Sequence, residues 1–193
     1  MDVRRITLSG RVVRLEPLAM SQAEDLVAAA SPEIFTNTFP PPEFSPAGFQ
    51  AVIGYLGSLT DWCPFAIVSQ ETGKAVGMTC FLDIRPRDRN LEIGFTWIAK
   101  ALQGTAVNPE CKYLLLQHAF EDQHAIRVQL KTDSRNQQSQ RAIEKLGAVR
   151  EGILRRHMIM PDGYIRDTVM YSITDEEWPA VKERLETRLA DSK

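Results

Sequence analysis

Neither a disulfide framework nor a metal motif is written into this sequence. Its three cysteines, Cys63, Cys80 and Cys111, are an odd number at wide spacings without a CxxC pair, which points to reduced thiols and a cytoplasmic chain. The three histidines, His118, His124 and His157, do not fall at ligand spacing, so no metal is expected. Long apolar runs are missing too. Nothing approaches the roughly 18 apolar residues that a membrane span needs, and the first 18 residues break their apolar positions with charges, unlike a secretion signal. No charge of one sign is in excess: 23 Lys and Arg stand against 25 Asp and Glu, a formal net charge of −2. That balance gives no general pull toward nucleic acid or an acidic membrane. Repeats and low-complexity tracts are absent.

What remains is an ordinary globular composition, 44% hydrophobic and 25% charged over 193 residues. One domain spanning residues 1–193 can bury a core without staples. Arg11 to Pro17 alternates like a first strand, and Ser21 with Glu24 reads as a capping box for a first helix. A proline-rich connection then carries Phe35, Phe39 and Phe44. These aromatics either fold back onto the core or wall a substrate pocket, since binding residues concentrate on loops. Ser45-Pro46 opens a second helix with Phe49, Ile53 and Leu56 on its apolar stripe. Phe65–Val68 and Ala75–Leu82 flank a Thr-Gly turn as a hairpin, and the arginines of the next turn, residues 85–90, read as solvated charges.

The chain is organised around residues 91–139. Leu91 to Ile98 alternates, with Leu91, Ile93, Phe95 and Trp97 expected on one face and Glu92, Gly94, Thr96 and Ile98 on the other. A loop of small and polar residues follows, Gln103-Gly104-Thr105-Ala106-Val107, and then a helix that Asn108 would cap with Pro109 at its first position. Strand, glycine-containing loop and helix N-terminus together present unpaired N–H groups and a positive dipole end, the arrangement that cradles a phosphate. Arg127 to Lys131 is the next strand, and Gln137 to Leu146 is a helix stopped by Gly147. On that helix Ser139, Ala142, Ile143 and Leu146 share a stripe. Val149–Met160 and Tyr164–Ile173 form a long hairpin around Asp162-Gly163. A last helix over about 175–190 has Thr174 and Glu177 as its capping box, with Pro179 positioned to delay or kink its start. The sum is an α+β fold with a mostly antiparallel sheet of about seven strands and helices on its faces.

The ordered set Gly104-Thr105-Ala106, Asn136-x-x-Ser139, Glu144-Lys145-Leu146-Gly147-Ala148, Glu151-Gly152 and Asp162-Gly163-x-x-x-Asp167 resembles the Gcn5-related N-acetyltransferases (GNAT). Within them it is similar to the branch that acetylates ribosomal-protein N-termini, the RimJ/RimL-like proteins. The resemblance runs from Arg11 to Ile173 and implies a splayed pair of strands holding acetyl-CoA, a co-substrate. It implies pantetheine contacts at the Trp97 and Ile98 backbone, in the manner of an added strand. The pyrophosphate would meet the amides of Gln103, Gly104, Thr105, Ala106, Val107 and Asn108, and Asn136 would contact the pantetheine on the other side. Two positions depart from the family pattern: Ala101 stands where Arg or Gln is usual, and Ile143 where many relatives carry a tyrosine acid.

The implied activity is acetyl transfer to a primary amine, either a protein N-terminal α-amine or a small molecule, by direct attack through a tetrahedral intermediate. Such a reaction needs a neutral amine and a proton for the leaving thiolate. An α-amine, with a reference pKa of about 7.7–8.0, needs only a weak base. Glu92 is the candidate base, with a structural carboxylate as the competing role, and Ser139 replaces the missing tyrosine as acid and cofactor contact. Phe35, Phe39, Phe44, His157 and Tyr164 are the expected walls of the acceptor pocket. The alternative is a non-catalytic acyl-CoA-binding module. No nucleic-acid or membrane partner is implied, and either the last helix or the long hairpin could form a homodimer.

Overall fold

Alternating and fully apolar segments build one eight-stranded sheet in the computed structural model, which describes residues 1–36 and 41–191. The strands are β1 (Leu8–Ser9), β2 (Val13–Pro17), β3 (Cys63–Ser69), β4 (Ala75–Arg85), β5 (Asn90–Ile98), β6 (Arg127–Asp133), β7 (Val149–Ile159) and β8 (Ile165–Thr174). Their order is β1-β2-β3-β4-β5-β6-β8-β7. The strand beyond the expected seven is β1, two residues long, whose Leu8 lies opposite Leu15. Every neighbouring pair is antiparallel except β5 and β6, which run parallel.

The helices are α1 (Ala23–Ala29), α2 (Pro46–Ser58), α3 (Val107–Gln117), α4 (Gln137–Leu146) and α5 (Trp178–Asp191). One sheet face buries Leu91, Ile93, Val128, Leu130, Val169 and Ile173 against Cys111, Leu115, Ile143, Leu146, Val181 and Leu185 of α3, α4 and α5. Each such side chain contributes about 1.5–3 kcal/mol of burial free energy. The other face is covered by α1 and α2, whose Leu26, Phe49, Ile53 and Leu56 meet Ala66, Val68, Met78 and Trp97.

Local chemistry explains which helix boundaries follow the sequence signals. The Ser45 hydroxyl accepts from the Gly48 amide at 3.1 Å with Pro46 at the first helical position, and the Asn136 carboxamide oxygen accepts from the Ser139 amide at 3.0 Å. Other starts differ. The chain enters α1 through a 3₁₀ turn at Met20–Gln22, where the Ala19 amide donates to Gln22 Oε1 at 2.8 Å, so Gln22 rather than Glu24 closes the box and Ser21 is not the cap. Helix α3 begins at Val107, before Asn108-Pro109, and the Thr105 hydroxyl receives the Val107 amide at 3.3 Å. Pro109 still fits, because a first-turn residue needs no intrahelical N–H bond. At α5 the Thr174 amide donates to Glu177 Oε2 at 2.8 Å, one turn ahead of the helix, and Pro179 is accommodated in the first turn.

The face assignment of β5 also changes midway. Gly94 lies opposite Cys80 but Trp97 lies opposite Met78, so an extra residue is inserted, and Phe95 has φ of +52°. This β-bulge reverses the alternation. Leu91, Ile93 and Ile98 face α3, whereas Trp97 packs under α1 and α2 against Phe35 and Phe49.

Candidate functional site

Strands β5 and β6 are joined for only three rungs, Asn90–Arg127, Leu91–Val128 and Glu92–Gln129. Beyond Glu92 they separate, and among the described residues no further strand rung joins β5 on that side. An open strand edge of this kind is a template for an extended ligand.

The loop at the end of β5 supplies the second part. Among the described residues the backbone N–H groups of Gly104, Thr105, Ala106 and Asn108 make no hydrogen bond, while the Glu110 amide returns to the Ala106 carbonyl at 2.9 Å. Gly104 has φ of +81° and nothing within 4 Å of the place a Cβ would occupy, so backbone can approach a ligand there. Four unpaired amides at a helix N-terminus suit an anion, and they lie where a phosphate cradle was expected. A hollow of about 740 Å³ borders this loop, lined also by Arg11, Gln70 and Arg188.

Across the gap, α4 presents Asn136 and Ser139. The Asn136 carbonyl oxygen is committed to its helix cap, and the Ser139 hydroxyl makes no hydrogen bond among the described residues. It sits at the edge of the buried stripe, whose centre is Gln140, Ile143 and Leu146. Two glutamines bridge the mouth: Gln138 Nε2 donates to Gln103 Oε1 at 3.1 Å, and Gln103 Nε2 donates to the Ile98 carbonyl at 3.2 Å. Ile98, Gln103 and the first turn of α4 are thus brought together.

Glu92 occupies the last rung before the gap, with its side chain on the face away from α3. It is 1% exposed. Its Oε2 accepts from Gln129 Nε2 at 2.8 Å and lies 3.0 Å from Lys131 Nζ. A Cβ on Gly94 would come within 3.0 Å of Glu92 Oε1 and 2.9 Å of Leu82 Cδ2, so only glycine leaves room for the carboxylate to lie along the strand toward the bulge.

Three comparisons bear on this architecture. The model of the acetyltransferase (GNAT) domain matches residues 13–149. The chain belongs to the GNAT acetyltransferase family. Over 110 residues it is 30% identical to "Putative ribosomal N-acetyltransferase YdaF" of Bacillus subtilis (strain 168), covering 57% of this chain and 59% of that protein. It thus spans less than two thirds of the curated relative it matches. A GCN5-related N-acetyltransferase from Brucella melitensis superposes with a TM-score of 0.93 at 31% identity, over 98% of this chain and 87% of that one. Mycobacterium smegmatis RimJ, solved with CoA-disulfide, shares the fold with a TM-score of 0.78 at 22% identity, over 94% and 91% of the two chains. The names of these relatives support the RimJ/RimL-like branch.

Within this GNAT fold two of the residues proposed as pocket walls, Phe35 and Phe44, pack against each other. Phe35 is buried, its ring centroid 5.6 Å from that of Trp97 and 6.0 Å from that of Phe44, which is itself exposed. Phe39 lies outside the described residues. Tyr164 carries the Arg135 guanidinium 3.2 Å from its ring centroid. His157 joins the Glu92 side of the sheet: its Nδ1 is 3.0 Å from Thr168 Oγ1. Partial desolvation and the charges of Lys131 and Arg166 hold its imidazole below the usual value, against the pull of Glu92. Tyr171 does not stand in for the tyrosine missing at Ile143: it is fully buried in the core and its hydroxyl donates to Glu144 at 3.0 Å, and the same burial and bond push it up to about 12. The thiols are buried and free, and burial raises Cys63 and Cys111 to about 11 and Cys80 as well. Such thiols are inert as nucleophiles.

Sequence reasoning missed three residues here. Gln129 and Lys131 alternate with Val128 and Leu130 on β6, a period-two signal that a single charge on a strand does not advertise. Lys112 is the third. It is 6% exposed, and its ammonium donates to Thr96 Oγ1 at 2.7 Å, which is in turn 2.7 Å from Thr79 Oγ1. Desolvation lowers its pKa. Between its lowered folded-state pKa and about 10.4, its reference value, the unfolded chain binds this proton more tightly, so stability should rise with pH through that window. Lys112→Met is expected to raise stability at pH 7 by roughly 1–2 kcal/mol and to remove that slope. Denaturant unfolding at pH 7 and 9.5 measures both, and an equal or lower stability for the variant would contradict it.

Proposed function

We propose that the chain is an N-acetyltransferase that transfers the acetyl group of acetyl-CoA to a primary amine. The parting of β5 and β6 after Glu92–Gln129, beside four unpaired loop amides, carries this reading. Acetyl-CoA supplies an activated thioester. The amides of Gly104, Thr105, Ala106 and Asn108 hold its phosphates, the Trp97 and Ile98 backbone aligns the pantetheine, and Gln103 leaves the Ile98 carbonyl to make room. The Asn136 Nδ2 group donates from the opposite side. The amine nitrogen bonds to the thioester carbonyl carbon and Glu92 takes its proton, directly or through a water; as the C–S bond breaks, the Ser139 hydroxyl passes a proton to the departing thiolate and regains one from solvent. Relatives named for ribosomal proteins favour a protein N-terminal α-amine as acceptor.

The test is release of free CoA from acetyl-CoA with a panel of amines, alongside thermal shift with CoA alone. Turnover with any amine supports the enzyme. Stabilisation by CoA without turnover supports the non-catalytic acyl-CoA-binding module instead. If Ser139 is the acid, Ser139→Ala should lower kcat about tenfold or more while CoA affinity changes less than about twofold. Equal losses in both would make Ser139 a cofactor contact only.

A further inference from the structure

The sheet face that carries Glu92 continues across β6 and β8, where Gln129, Lys131 and Asp133 alternate with core residues and where Thr168 and, two residues before it, Arg166 lie on the same side. Thr168 lies opposite Asp133, and Arg166 lies opposite Met158 of β7. Charges on this face are paired in sequence. Lys131 Nζ lies 3.0 Å from Glu92, and Arg135 Nη2 lies 3.1 Å from Asp133. Arg166 is the exception. It is half-buried, its Nε is buried without a hydrogen-bond partner, and among the described residues its guanidinium forms no ion pair. The neighbouring acids are turned elsewhere: Asp133 toward Arg135, and Asp167 Oδ1 toward the Arg156 amide at 2.6 Å. A buried, unsatisfied guanidinium N–H costs about 1–3 kcal/mol, a cost that a bound anion removes.

Resting on the proposed role of Glu92 as the base, which puts the acceptor amine on this face, we propose that Arg166 receives a carboxylate of the acceptor. The acceptor class is therefore an amine that also bears a carboxylate. A guanidinium offers Nε–H and Nη–H as a planar fork that matches a carboxylate in two parallel hydrogen bonds. Two sources share this chemistry: the α-carboxylate of a free amino acid, and an acidic side chain close behind a peptide N-terminus.

Two matched pairs separate them: alanine against alaninamide, and Ala-Glu-amide against Ala-Gln-amide, each assayed by CoA release. The wild-type protein should prefer the acid of one pair by about tenfold or more in kcat/KM. In Arg166→Met that ratio should fall toward one, and in Arg166→Lys it should be intermediate. Preference within the first pair identifies a free amino acid, and within the second an acidic N-terminus. Equal rates for acid and amide in both pairs, or a preference that survives in Arg166→Met, overturn the proposal. A binding measurement independent of turnover keeps the failures apart. The Nε–H resonance of Arg166, assigned by its loss in Arg166→Lys, should shift when an acid is added and stay when its amide is added. A shift without CoA release upholds the carboxylate site and defeats the transferase reading. Absence of both the shift and any acid preference defeats the carboxylate site.

Discussion

Replacing Glu110 with alanine is expected to lower stability by about 3–4 kcal/mol and Tm by roughly 10 °C. Its carboxylate is 5% exposed and accepts three backbone N–H groups from the turn before β2: Arg11 at 2.9 Å, Val12 at 2.6 Å and Val13 at 2.7 Å. Val13 is fully buried, so alanine would orphan its amide without access to water. The Arg11 amide is exposed enough to be hydrated, which keeps the loss below three full penalties. Glu110→Gln should lose about half as much, since a carboxamide keeps one acceptor but turns an NH₂ toward a donor. Thermal and urea unfolding test both variants, and a loss under about 1 kcal/mol for alanine would contradict this role. The residue also ties the start of α3 to β2. Because the loop amides lie immediately before it, Glu110→Ala should weaken CoA binding as well as stability.

That carboxylate shows where local reading stops. From the sequence, an acid in the first turn of a helix favours the dipole and repels a nearby phosphate. Its partners lie 97 to 99 residues away, and turning the side chain to them takes it off the anion side. By contrast the bounds of α4 were legible, because what ends it is local: Gly147 stops it, and the turn before Gln137 supplies Asn136 as its cap. The hairpin of β7 and β8 and the proline-led start of α2 were legible for the same reason. The bulge in β5 was not. Alternation assumes one residue per rung, and the trace of the insertion is a glycine within the strand, Gly94, a weak signal by itself. The ordered motifs led to the family that the domain match shows. The sheet face that carries Glu92 depends on strand order and on the splay, so Lys131 and Arg166 could not be joined to Glu92 from residue spacing.

Glu92→Gln should lower kcat/KM by about 10²-fold, near the lower end of what a positioned base supplies. The lower end follows from the proposed α-amine acceptor. An α-amine with a pKa of about 7.7–8.0 is partly neutral at pH 7.5 without help, so the base mainly keeps the proton from returning as the bond forms. The geometry agrees with such a role: the carboxylate lies at the last shared rung, folded along Gly94 toward the bulge. Glutamine preserves size and keeps an oxygen for Gln129 but no longer neutralises Lys131. The rate should therefore partly recover as pH rises through the pKa of the amine, because bulk base then replaces the missing carboxylate. A purely structural carboxylate gives a different signature. Losing it would disturb Gln129 and Lys131 and lower Tm, and the rate defect would be the same at pH 7 and pH 9. Measuring kcat/KM across that range, with Tm at each pH, decides between the two roles, and a pH-independent defect would remove Glu92 from the proton-transfer step.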